Sequence, residues 1–72
     1  MSLTHIAKAY TTCVELEERA RQESPALAED LSILRADLHA LLMQALRESN
    51  IPFADRSDAA RIAFDLARHP VA

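Results

Sequence analysis

The chain has 72 residues, half of them apolar, with 11 acidic against 8 basic residues and a net charge of −3. One Cys, three His and no Gly exclude a disulfide framework, argue against a zinc site and leave no Gly-rich loop to cradle phosphate. The acidic balance argues against nucleic-acid and anionic-membrane partners.

One small domain spanning residues 1–72 is the expectation for this length. A chain of this size buries only about 60% of the surface its unfolded form exposes. Below roughly 70–80 residues a single core usually needs a staple. With disulfide and metal set aside, oligomerisation is the staple that remains. Ala and Leu carry the apolar content, and the aromatics are limited to Tyr10, Phe53 and Phe64. Both Ala and Leu are strong helix formers, and β-branched residues are few, so an all-α chain is predicted. No stretch approaches the roughly 18 unbroken apolar residues of a membrane span. The N-terminus lacks the apolar run of a signal peptide, so a cytoplasmic location without membrane contact is the expectation.

A first helix is predicted from a Thr4 cap to about residue 22. Ile6, Ala9, Tyr10, Cys13, Val14, Leu16 and Ala20 form its apolar face. Glu17 interrupts that face and is placed to pair with Arg21 one turn on.

Glu23-Ser24-Pro25 is the first break. Ser24 suits an N-cap and Pro25 suits a first helical turn, so a short antiparallel connection is predicted. The alternative is one helix kinked at Pro25.

The stretch Ser24 to Asn50 then reads as one long helix, the element that organises the rest. Leu27, Leu31, Leu34, Leu38, Leu41 and Ala45 alternate at spacings of four and three. That spacing draws one apolar stripe, expected to face the core with Leu34 and Leu38 buried. Ile33, Ala36, Ala40 and Met43 repeat the pattern on a second seam, and Asp30, Asp37, Gln44 and Glu48 form a polar column between the two. Two seams demand packing partners on two sides.

Asn50 and Pro52 mark the second break. Ile51 and Phe53 are apolar in that loop and are expected to plug the end of the bundle. Ser57 is the predicted N-cap of a third helix that His69-Pro70 ends. Asp58, Arg61, Asp65 and Arg68 stack as an ion ladder along it, and an apolar arc of about 200° covers the rest.

No set of residues has catalytic, cofactor-binding or metal-ligating spacing. Cys13 with His5 or His39 is the single conceivable thiol–imidazole pair, and Cys13 sits on an apolar face where an inert buried thiol is expected. His39 is expected at a boundary between the two seams of the long helix. No two His lie three or four residues apart.

The segment from Leu46 to Arg68, a helix, a short turn and then S-D-A-A-R-I-A-F-D-L-A-R, resembles the second half of small dimeric repressors, in which a Ser begins the last helix. It lacks the strand of ribbon-helix-helix proteins and the Gly-centred turn of many helix-turn-helix units. Arg56, Arg61 and Arg68 each lie beside an acid, so no basic footprint forms.

The expectation is therefore an all-α chain of three helices, a long antiparallel hairpin plus a shorter third helix, completed as a bundle by homodimerisation. A non-enzymatic interaction or regulatory role is expected, acting on a second copy or a larger protein. Ile33, Ala36, Ala40, Met43, Ile51, Phe53 and Phe64 are the candidate contact residues. A small dimeric DNA-binding regulator is the alternative.

Overall fold

Three helices build residues 2–69 of the computed structural model: α1 (Leu3–Glu23), α2 (Pro25–Glu48) and α3 (Arg56–Arg68). Ser24 alone separates α1 from α2. Its extended backbone stops the first helix, and its Oγ accepts a hydrogen bond from the Leu27 N–H at 3.3 Å. Pro25 follows in the first turn, where its missing N–H leaves no bond unmade. The chain folds straight back, so that Tyr10 meets His39 and Glu17 meets Arg35. This is the antiparallel hairpin, and a single kinked helix is ruled out.

Two caps differ from those expected. Ser2, not Thr4, caps α1, its Oγ accepting from the His5 N–H at 3.2 Å. The earlier start adds about half a turn and brings Leu3 against the core. Asp55, not Ser57, caps α3. Asp55 Oδ1 accepts from the Asp58 N–H while Asp58 Oδ2 accepts from the Ala54 N–H, each at 2.9 Å. A reciprocal pair of charged acceptors satisfies more of the free N–H groups than one serine hydroxyl does. His69 is the C-cap of α3; Pro70 lies outside the described residues.

The end of α2 is a Schellman turn. Asn50 takes a left-handed φ of 58°, which its side chain tolerates. The Ile51 N–H reaches back to the Leu46 carbonyl at 2.9 Å and the Asn50 N–H to the Arg47 carbonyl at 3.1 Å. That turn folds Ile51 onto the core, with Phe53 following, so both cover the end of the bundle as expected.

The core joins Ile6, Ala7 and Tyr10 of α1 to Leu42 and Leu46 of α2 and Ala59 and Ala63 of α3. The two alanines let α3 approach closely. Only they are fully buried on α3; the rest of its wide apolar arc, including Ile62, Phe64 and Leu66, is half-buried. α3 has 13 residues against 21 and 24 for its neighbours. It therefore covers one end of the hairpin and leaves the other end as a pair of helices.

The leucine stripe of α2 does not face inward. Leu34 is 49% exposed and Leu27 51% exposed. The buried positions are Ala28, His39, Leu42 and Leu46, with Arg35 half-buried among them. Each lies one residue beyond a member of the stripe. The helix is thus turned by about 100° from the expected orientation. Leu31 and Leu38 fall at the edge of the interface and are half-buried. Polar groups account for the turn. Glu17 and Tyr10 face α2 from α1, and a buried carboxylate or hydroxyl is costly without a partner. Arg35 and His39 supply those partners, at the cost of leaving leucines in water.

Candidate functional site

The polar residues between the helices form two linked sets. In the first, the Glu17 carboxylate is buried and accepts from Arg35 Nε across the hairpin and from Arg21 Nη2 at 2.9 Å along its own helix. The Arg21 pairing is the one the spacing predicts. Hydrogen bonding from Arg35, more than that from Arg21, holds the Glu17 carboxyl below its ordinary value. The same pair raises Arg35.

In the second set, His39 is buried rather than at a boundary. Its Nε2 lies 2.9 Å from the Arg56 carbonyl oxygen, which can only accept, so Nε2 carries a proton. Its Nδ1 lies 3.5 Å from the Tyr10 hydroxyl, and the two rings meet edge to face at 5.0 Å. His39 thereby ties the first turn of α3 to the hairpin. Burial pushes the Tyr10 hydroxyl above its ordinary value.

Both sets are consumed by structure. No buried side-chain nitrogen or oxygen among the described residues lacks a hydrogen-bond partner. The Cys13 thiol is buried and donates to the Leu31 carbonyl at 3.5 Å. Burial first, then Glu17, pushes that thiol up, away from the nucleophilic thiolate. His5 Nδ1 is engaged with Ser2 Oγ at 2.9 Å, and both nitrogens of His39 are engaged elsewhere. Among the described residues, no group of three or more His, Cys, Asp or Glu is placed to hold a metal ion.

What remains is apolar surface. On one side of the hairpin, the turned-out leucines meet α1 across a groove of about 360 Å³. Leu31, Leu34 and Leu38 form its α2 wall, and Ala9, Cys13 and Leu16 its α1 wall, with Lys8 and Thr12 at the rim. Leu16 is 43% exposed. No residue of α3 lines it. A second, more open depression of about 590 Å³ lies at the turn after α2, between Arg47 and Phe53. There the Arg47 guanidinium sits 5.4 Å from the centre of the Phe53 ring.

The sequence-derived contact residues do not form one surface. Ile33, at 61% exposure, lies with exposed Ala36 and Ala40 on the outer side of α2. Met43, Ile51, Phe53 and Phe64 are half-buried and pack against the core at the α3 end. Phe64 also meets the Tyr10 ring edge-on at 6.5 Å. Ala9, Leu16, Leu27 and Leu34 are exposed although periodicity assigned them to the interior.

On α3, Arg61 bridges Asp58 at 2.8 Å and Asp65 at 3.2 Å, so the expected ion ladder forms over three of its four residues; Arg68 joins none of the ion pairs among the described residues. No helix among the described residues is long and apolar enough to cross a membrane. No family model, no curated protein and no solved structure matches the chain.

Proposed function

We propose that this chain is a non-enzymatic interaction module that acts through the leucine face of the α1–α2 hairpin. One observation carries the reading: Leu16 and Leu34, large apolar side chains that line an apolar groove, are 43% and 49% exposed. Scattered exposed leucines are ordinary, but a contiguous apolar strip on a helix pair marks a contact surface. The buried polar groups favour this reading over catalysis, because their hydrogen bonds are spent within the fold. The DNA-binding alternative is weaker, since Arg61 is held between two aspartates and would have to leave them to reach phosphate.

The test compares the native chain with a Leu16→Gln/Leu34→Gln variant, which changes only half-exposed positions. A partner, whether a second copy or another protein, should be retained by the native chain and lost by the variant at equal helicity. Retention by both, or association by neither at millimolar concentration and in affinity capture, would remove the proposal. A parallel titration on random duplex DNA should show no binding. Binding that weakens steeply with salt and disappears in Arg56→Ala/Arg68→Ala would replace it with the DNA-binding reading.

A further inference from the structure

The leucine groove has two banks of different charge. On α2, Asp30, Asp37 and Glu48 fall within about 20° of one another around the helix, about 40–60° to the outer side of Leu34. α2 has two basic residues, and neither reaches that bank. Arg35 turns inward to Glu17, and Arg47 lies over the Phe53 ring. The α2 bank is therefore acidic along its whole length. The α1 bank is mixed. Glu15 falls between Lys8 and Arg19 in height and within about 40° of both, and Glu23 follows on the same edge at the hairpin tip. Two bases and two acids there offset one another.

These bank charges are uncommitted. The ion pairs of the described residues use Arg21, Arg35 and Arg61 with Glu17, Glu18, Asp58 and Asp65. Asp30 and Asp37 enter none of them, and both are exposed. A second copy of the chain fits this face poorly. One way of stacking two hairpins sets the acidic bank against a bank that holds Glu15 and Glu23. The other sets acidic bank against acidic bank. The bank that decides the sign of an occupant is that of α2, and it calls for positive charge.

We infer that the leucine groove seats one amphipathic helix of another protein, with its apolar face on Leu16, Leu34 and Leu38 and a flank of Lys or Arg against Asp30 and Asp37. This rests on the interaction reading above and states the chemistry of the partner. A groove between two helices receives a single helix through its apolar stripe. Charges beside such a stripe choose the partner, as they do beside the seam of a coiled coil. Asp30 and Asp37 are two turns apart, about 10.5 Å along α2. Basic residues at i and i+7 of a helix lying along α2 match that spacing. The groove walls, Lys8 to Leu16 and Leu31 to Leu38, are about 10–12 Å long, so a partner helix of three to four turns covers them. α3 lines no part of the groove and does not obstruct it.

The probe is a fluorescent 18-residue amphipathic peptide with Leu at spacings of three and four and Lys at i and i+7 of one flank. Its counterpart carries Glu at those two positions. In anisotropy titrations at low salt, the native full-length chain should bind the Lys-flanked peptide about tenfold more tightly than the Glu-flanked one. That preference should shrink as salt rises. Asp30→Asn/Asp37→Asn should remove the preference. Glu18→Gln/Glu29→Gln takes the same charge from positions that face away from the groove and should keep it. Leu16→Gln/Leu34→Gln should abolish binding of both peptides. All six substituted positions are exposed, so helicity checks folding. Binding of neither peptide overturns the inference, as does equal binding of both or a preference for the Glu-flanked one. A preference lost equally in Glu18→Gln/Glu29→Gln also overturns it, because the attraction would then belong to net charge and not to the groove. A native chain that sediments as a dimer, dissociated by Leu16→Gln/Leu34→Gln, would sink this inference alone and leave the interaction reading standing.

Discussion

Glu17 has a 6% exposed side chain and two arginine partners, so its charge is the most consequential in the fold. Removing Arg35 leaves that carboxylate buried against Arg21 alone. Arg35→Ala should therefore cost about 1.5–3 kcal/mol, the range for hydrogen bonds to charged groups, read from urea unfolding at neutral pH. The same pair sets a pH dependence. Folding lowers the Glu17 carboxyl from 4.5, chiefly because Arg35 donates to it. A depressed acid binds its proton less readily in the folded chain than in the unfolded chain. Its contribution is therefore complete above about pH 4.5 and is lost as the pH falls through the depressed value. Glu17→Gln should flatten the stability curve in that acidic window while lowering stability at neutral pH. An unchanged acid slope would show that other carboxylates carry the acid sensitivity.

Along α2, inward and outward positions can be told apart by truncating one leucine of each kind. Leu42 is fully buried, and Leu42→Ala should cost about 2–5 kcal/mol. Leu34 keeps about half its surface in water, and Leu34→Ala should cost less than about 1 kcal/mol in dilute protein. Equal losses in thermal melts followed by circular dichroism would mean that the leucine stripe faces inward after all. The element boundaries were legible because Ser24-Pro25 and Asn50-Pro52 carry specific backbone chemistry. The rotation of α2 was not, because leucine spacing fixes which residues share a face but not which face wins. That choice came from Glu17 and Tyr10, whose partners lie 18 and 29 residues away along the chain. Periodicity within one helix holds no record of such pairings. The caps of α1 and α3 were misplaced for a related reason: Ser2, Asp55 and Asp58 each gain from a reciprocal or neighbouring bond that residue preference alone does not weigh. The leucine face was read as core for want of that same long-range information.

For the whole molecule, the decisive quantity is surface left over. The chain exposes 4874 Å². A folded monomer of 8.0 kDa exposes about 4,450 Å² on the usual size scaling. The hairpin is covered by α3 at one end only, and the molecule measures 38 × 21 × 20 Å. If a partner helix covers the leucine face, folding and association are linked, and stability depends on the partner's concentration. Each tenfold rise in the Lys-flanked peptide above its dissociation constant then adds about 1.4 kcal/mol. For a domain of this length that raises Tm by about 6–11 °C. Leu34→Ala sharpens the test, because Leu34 matters little to the isolated fold and much to the covered face. Its effect on Tm should be small in the free protein and grow as the peptide is added, whereas the effect of Leu42→Ala should be large throughout. A native Tm unmoved by the peptide, with a constant Leu34→Ala offset, would mean that the leucine face stays open to solvent.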